Sequence, residues 1–402
     1  MNDTLAACVV CSSGTVVPVL NVIDVPIYPF QPVSNSGDNA KFGLLNIVTC
    51  GNCGHIYNAG FNIANTDDLY GAFVLTNTPV SKEMLDNVRN TATNILAFAV
   101  SNPVIIEVGG GAGALSMALA EYAQEVHCVE PSRALSSDHF HGTKVIYHQE
   151  MYPNDTLAGR TFDVVVCRQV IEHVPLPMSF LLALRNAVKE TGIAYIELPQ
   201  LEYIQGSCSI VDFHYPHVHY YSKLHIEFLF KKAGFEVVNA VSLKGGHDVG
   251  YMLRPVPTPL ADAIDINFES NTMVRFAAEL QVRRARGFVK MHALRGRTAL
   301  YGANAYSQAL VGLYPSLNCM MRIFDDTESY AGHVGYGREM EMPIMVPHTN
   351  TINDMDTIII TAYLHDLEIS KRLRANGYAG QLYTVRTDPS AGQNGRPASI
   401  FM

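Results

Sequence analysis

Val104-Ile105-Ile106-Glu107-Val108-Gly109-Gly110-Gly111-Ala112-Gly113-Ala114-Leu115-Ser116 is the stretch that decides the fold. A run rich in β-branched residues ends in an acid. A glycine cluster follows at once, and then a helical pattern begins. This is a strand passing through a Gly-rich turn into a helix N-terminus. Glycine has no Cβ and takes positive φ, so a ligand can approach the backbone of such a turn closely.

Downstream, strand and helix patterns alternate. Leu115 to Tyr122 reads as a helix, and Glu125 to Glu130 as a second strand that also ends in an acid. Val145 to Glu150, Phe162 to Cys167 and Gly192 to Pro199 read as three more strands, with a helix from Met178 to Glu190. The alternation predicts an α/β fold with a parallel sheet and a ligand at the carboxyl ends of its strands. Glu130 then stands beside the first Gly-rich turn, where a carboxylate can accept both hydroxyls of a ribose.

A dinucleotide fingerprint would read G-x-G-x-x-G, with pyrophosphate on the helix end. Here the run is Glu107-x-Gly109-x-Gly111-x-Gly113. An acid just before the turn repels pyrophosphate and suits an amine. After the fourth strand comes Arg168-Gln169-Val170-Ile171-Glu172-His173-Val174. With these three motifs in order, the sequence resembles the class I S-adenosylmethionine-dependent methyltransferases. The resemblance implies that Gly109, Gly111 and Gly113 line the cofactor and that Glu130 holds its ribose. It further implies Glu107 for the methionine amine, Glu150 for the adenine side and Gln169 for the methionine end. Glu172 and His173 either cap the following segment or touch ligand.

Two cysteine pairs precede this core, Cys8-Val9-Val10-Cys11 and Cys50-Gly51-Asn52-Cys53. Four thiolates on two tight turns can close a tetrahedral Zn²⁺ site with no open position, hence a structural one. The Pro-, Asn- and Gly-rich segment between the pairs, Val25 to Asn46, reads as a loop. Ser81 to Met84 starts a helix running to about Val100. The remaining cysteines (Cys128, Cys167, Cys208, Cys319) read as small core residues.

The least ordinary segment is Asp212-Phe213-His214-Tyr215-Pro216-His217-Val218-His219-Tyr220-Tyr221-Ser222. A histidine can take a proton near neutral pH, and a tyrosine can hold a developing oxyanion. His217 and His219 alone make no metal set, because no carboxylate or third histidine stands at obvious ligand spacing. Ser222 caps a helix that ends near Ala233-Gly234. A sixth strand spans Glu236 to Ser242, and the Gly-rich Lys244 to Asp248 after it offers His247 as a second candidate base.

Beyond a linker at Arg254 to Pro259, a long helix spans Phe268 to Leu294. Strands at Thr298, Cys319 to Phe324, Thr357 to Thr361 and Gln381 to Val385 then form a second, shorter αβ unit. The expected divisions are 1–70 (zinc module), 71–255 (cofactor domain) and 256–402 (C-terminal Rossmann-like domain enclosing substrate). This layout resembles the sugar C-methyltransferases that act on nucleotide-linked 4-keto-deoxysugars. The resemblance implies removal of a proton beside the ketone, then methyl transfer to carbon through an enolate. The catalytic segment of that family, Tyr-x-Glu-His-Phe-x-x-Phe-Ser, places its His on His217, its Glu on Pro216 and its Tyr on His214. His217 is thus the implied base, with Tyr215, His214 or Tyr220 as enolate partners. The two departures leave O-methylation of a related sugar or small molecule open, and a catalytically silent binding protein is a third reading, opposed by the intact glycine run.

The chain of 402 residues carries a net charge of −9, which gives no basic footprint for nucleic acid. The arginines Arg283, Arg284 and Arg286 read as a solvated helix face, with a phosphate-binding cluster as the alternative. No apolar run approaches the roughly 18–20 residues of a membrane span. The N-terminus lacks the basic start of a signal peptide, so a cytoplasmic location is expected. The partner expected is a nucleotide-sugar small molecule; monomer and dimer stay equally open.

Overall fold

The computed structural model describes residues 4–32, 42–72, 78–79, 82–257, 270–315, 320–337 and 340–402. Its centre is a sheet of seven strands. The order is Phe235–Leu243, Asp248–Pro255, Val188–Pro199, Phe162–Arg168, Val104–Val108, Glu125–Val129, Val145–His148. Val104–Val108 pairs in parallel with Glu125–Val129 on one side and Phe162–Arg168 on the other. The strand order therefore reverses at the quoted stretch, and a crevice opens outside the carboxyl ends there. Ile105, Ile106, Val164, Val165, Val166, Ala194 and Ile196 are fully buried. Their near-continuous apolar runs are what a parallel sheet covered on both faces requires.

Asp248–Pro255, of which the sequence reading covers only the ends, as a turn to Asp248 and a linker from Arg254, is a strand. It pairs antiparallel with both Val188–Pro199 and Phe235–Leu243. Between those ends Val249 to Leu253 carries a glycine, which weakens a strand pattern read from sequence alone. In the fold Gly250 is required where the Tyr195 hydroxyl would stand 2.2 Å from a Cβ. The helix expected to reach Glu190 is Pro177–Ala187, with the strand beginning at Val188.

Two further sheets flank the core. The N-terminal one runs Val16–Pro26, Phe42–Cys50, Ile56–Asn58, His219–Tyr220. The expected loop from Val25 to Asn46 is thus bounded by two antiparallel strands, which bury Leu20, Val22, Leu45 and Ile47; only its middle lies outside the described residues. The short strand from the His-Tyr segment completes this sheet against Ile56–Asn58. The C-terminal sheet has eight strands, seven of them from the C-terminal unit. It gains its edge strand, Gln31–Pro32, from the N-terminal region. Sequence adjacency could not reveal either exchange. The long helix is Ser270–Ala293; its expected start at Phe268 and Cys319 lie outside the described residues.

The arginine face is not simply solvated. Arg283 donates to the Thr387 carbonyl and Arg284 to that of Asn21, tying the long helix to both flanks. Among the described residues no helix is long and apolar enough to cross a membrane.

Candidate active site

Three glycines of the opening stretch have left-handed backbone, with φ of 73° at Gly109, 53° at Gly111 and 76° at Gly113. A Cβ on Gly109 would stand 2.2 Å from Val170, and one on Gly113 would stand 2.4 Å from Phe140. A Cβ on Gly111 would meet nothing within 4 Å, so the turn is open there. Gly113 then caps the helix Ala114–Ala120. Glu130 lies across the turn, accepting from the Gly111 and Ser132 amides at 2.9 Å each. Glu107 is buried and accepts from the Ser116 hydroxyl at 2.5 Å. Burial pushes its carboxyl up to about 7, against the pull of Ser116 and Arg168. Glu150, the third acid, accepts from Thr156 at 2.8 Å.

Gln169 sits where strand Phe162–Arg168 ends, with φ of 53° although it is not glycine. Strained backbone of this kind persists where surroundings over-determine it. Here the Glu197 carbonyl takes its amide at 2.8 Å, and its side-chain amide donates to Asp248 at 3.0 Å. The neighbouring Arg168 is clamped by Glu197 at 2.9 and 3.1 Å.

Asp248 leads to a buried polar cluster. His247 Nδ1 is 2.5 Å from Asp248 Oδ1, and its Nε2 is 3.1 Å from Asp212 Oδ1. Tyr306 places its hydroxyl 3.3 Å from the same Nε2, and Tyr363 donates to Asp212 at 3.1 Å. Burial disfavours the imidazolium, but the two carboxylates outweigh it and raise His247 to about 9. Lys244, 2.5 Å from Asp248, holds that carboxyl well below the usual range. Tyr306 and Tyr363 come from the C-terminal unit. The sequence reading missed both, because nothing local marks them; Asp212 stood inside the quoted segment without a role.

The histidines of the His-Tyr segment lie next to this cluster. The rings of His214 and His217 are 3.9 Å apart, and His214 faces Tyr306 at 6.4 Å. Burial lowers His214 to about 3 and holds His217 well below its ordinary value. Tyr215 and Tyr220 are turned to other tasks. The Tyr215 hydroxyl accepts from the Asn62 amide at 3.2 Å, and that of Tyr220 donates to the His214 carbonyl at 3.4 Å. Tyr215 also lines a 410 Å³ cleft with Ile27, Phe42, Asn62 and Leu69. His219 belongs to the N-terminal sheet, 3.1 Å from His55.

Glu172 and His173 form the short turn after Gln169. Glu172 is 1% exposed, yet neither carboxylate oxygen has a hydrogen-bond partner among the described residues. Burial raises its carboxyl to about 8. One ligand atom each from Glu172, His173 and His217 lie within 4.8 Å of one another. A carboxylate and another histidine thus stand near His217 although none lies at ligand spacing beside it in the sequence. The carboxylate comes from a distant turn after a central strand, out of reach of spacing rules.

The four paired cysteines converge. Cys8 Sγ lies 3.6 Å from Cys53 Sγ, and Cys11 Sγ lies 3.5 Å from Cys50 Sγ. A tetrahedral ion with bonds of about 2.3 Å sets sulfurs about 3.8 Å apart, so the donor set fits zinc. The Asn52 amide points at Cys50 Sγ from 3.4 Å.

The seven-strand order, the glycine turn and the acid at the second strand end together define a Rossmann-like α/β core with its ligand site at the point where the strand order reverses. Residues 81–240 match the family model described as a methyltransferase domain, which is less than half the chain. Over 162 residues the chain is 25% identical to a ubiquinone biosynthesis O-methyltransferase of Paraburkholderia xenovorans (strain LB400), covering 39% of this chain and 60% of that protein. The mitochondrial protein of that name from Schizosaccharomyces pombe (strain 972 / ATCC 24843) is 32% identical over 99 residues, 23% of this chain and 36% of its own. The chain thus spans less than two thirds of these relatives. An S-adenosylmethionine-dependent methyltransferase from Clostridium acetobutylicum ATCC 824 superposes with a TM-score of 0.37 at 14% identity, over 44% of this chain and 93% of that one.

Proposed function

We propose that this chain is an S-adenosylmethionine-dependent methyltransferase that methylates carbon beside the ketone of a nucleotide-linked deoxysugar. The observation that carries the reading is the buried cluster at the seam of core and C-terminal unit. It sets the imidazoles of His214 and His217 beside the Tyr306 hydroxyl, which meets His247. Methylation next to a ketone needs both parts. A base removes the C–H proton, and a donor holds the oxygen as charge develops. The close His214–His217 pair takes the proton. Tyr306, polarised by His247, donates to the ketone oxygen. The cleft beside Tyr215 gives room for the larger half of the substrate. The cysteine quartet holds a structural zinc.

When bound, S-adenosylmethionine supplies an activated methyl on a sulfonium. Glu107 would take its amine, Glu130 its ribose and Gln169 the methionine end, with Glu150 toward the adenine. Gly111 tests this placement without touching the core. Gly111→Val is expected to fold with about 1–2 kcal/mol of left-handed strain. Calorimetry should show cofactor affinity falling more than about tenfold, or about 1.4 kcal/mol. Unchanged affinity would move the cofactor off this turn.

The second reading is O-methylation, which the similarity to O-methyltransferases over the core favours. Incubation with methyl-labelled cofactor and a panel of 4-keto and 4-hydroxy nucleotide sugars separates the two. Label on carbon is expected, and only from keto sugars. Label confined to oxygen would replace the first reading with the second.

A further inference from the structure

We infer that Glu172, His173 and His217 bind one divalent first-row cation at the carboxyl end of the central sheet, where it grips vicinal oxygens of the acceptor. Three observations converge on it. The three donor atoms lie within 4.8 Å of one another, close enough to share one ion. Glu172 is buried with both oxygens unpartnered among the described residues, a costly arrangement unless something binds them. His173 donates from Nδ1 to the Pro216 carbonyl at 2.8 Å, which fixes its tautomer and leaves the Nε2 lone pair free. That backbone contact is the support a metal-bound histidine commonly has. It also ties the turn carrying Glu172 and His173 to the residue before His217. The rings of His173 and His217 meet edge to face at 4.8 Å.

Two imidazoles and one carboxylate suit Zn²⁺, Mn²⁺, Fe²⁺ or Co²⁺, unlike the all-sulfur quartet. Three protein ligands leave coordination positions for substrate. The turn follows Gln169 directly, so the ion stands at the methionine end of the proposed cofactor site. A ketone oxygen and a neighbouring hydroxyl fill the open positions as a chelate. The ion then divides the histidine pair: His217 is a ligand, and His214, whose Nδ1 is unpartnered among the described residues, is the proton acceptor. The C–H proton passes to His214, and its electron pair forms the enolate, whose oxygen the ion and Tyr306 share. The enolate carbon bonds the methyl as the sulfur–methyl bond breaks. The ketone reforms, and the thioether leaves neutral.

The role of the ion rests on the methyltransferase reading; its binding does not. The test uses the full chain with its cysteine site loaded. Mn²⁺ is titrated by electron paramagnetic resonance, and total Zn²⁺ is counted after loading and desalting. Wild type is expected to take up one Mn²⁺, or one Zn²⁺ beyond the cysteine equivalent. Glu172→Gln and His217→Asn should each weaken this uptake more than about tenfold. Glu172→Gln keeps the volume and removes a buried unpaired carboxylate, so its metal-free form should melt no lower than wild type. Uptake of neither ion beyond the cysteine equivalent overturns the site, as does wild-type uptake by a folded Glu172→Gln. Calorimetry with S-adenosylmethionine runs in parallel. Ion uptake without cofactor binding would sink the methyltransferase reading and leave the site standing.

Discussion

Replacing His247 by glutamine is expected to lower kcat by about 10²–10⁴-fold, with cofactor affinity changed less than about threefold. His247 is 5% exposed and bridges Asp248 on the core to Asp212 and Tyr306. Glutamine retains a hydrogen-bonding side chain but not the charge. Every group facing this imidazole bears on its titration. Asp212 and Asp248 raise it, burial lowers it, and Tyr203, Tyr306 and Tyr363 pack on it, with Lys244 behind Asp248. The result is a value of about 9. The wild-type rate should therefore fall on an alkaline limb near pH 9 as this proton leaves, and that limb should be absent from the variant. Stability has the same sign. The folded value lies above the unfolded one, so the contribution is complete below about pH 6.5 and is lost as pH rises through about 9. A shift from 6.5 to about 9 corresponds to roughly 3 kcal/mol. A purely structural histidine would lower the melting temperature and leave the alkaline limb in place. A limb near 9 that persists in a folded His247→Gln enzyme would remove His247 from the reaction.

What the chain order shows, and what it hides, follows from how each part is built. The cofactor half of the site was legible because one strand, one turn and one helix carry it. Gly109, Gly111 and Gly113 lie within a few residues of Glu107, and Glu130 ends the very next strand. The substrate half was not. It draws Asp212 and His214 from one loop, His247 from a hairpin, Glu172 from the turn after a central strand and Tyr306 from the start of a helix in the C-terminal unit. No local period relates them. The same holds for the edges. Gln31–Pro32 and His219–Tyr220 are two-residue strands completed by distant partners, and so short a strand has no pattern of its own. Asp248–Pro255 was hidden differently: its ends read as a turn and a linker, and Gly250 between them is there for packing against Tyr195 rather than as a breaker. Local propensity lost to tertiary context at each of these places.

Cys50→Ser should both melt the N-terminal sheet and silence turnover while sparing cofactor binding. Cys50 is fully buried at the end of strand Phe42–Cys50, and its amide closes the knuckle on the His55 carbonyl at 2.8 Å. The apolar residues of the small module are buried in a cluster continuous with the rest of the protein, and an ion in the quartet adds to its stability by tying the two knuckles together. Structural zinc contributes about 10–16 kcal/mol in isolated zinc-finger peptides, and loss of one thiolate forfeits a sizeable part of that. The damage spreads by identifiable contacts. His225, at the start of helix Lys223–Lys232, meets the Cys53 carbonyl through Nε2 at 2.8 Å. His219–Tyr220 pairs with Ile56–Asn58, two residues after His217. Loosening the knuckle therefore frees the loop that holds His214 and His217. Glu107, the glycine turn and Glu130 rest on the central sheet and share none of these contacts. The variant should lose one zinc per chain, show an early melting step, and turn over at least about a hundredfold more slowly. Its calorimetric affinity for S-adenosylmethionine should stay close to that of wild type. An unchanged zinc content and melting curve would mean that the quartet is not a metal site. Loss of cofactor binding in parallel would mean that the module and the central sheet fold as one unit, with the site dependent on both.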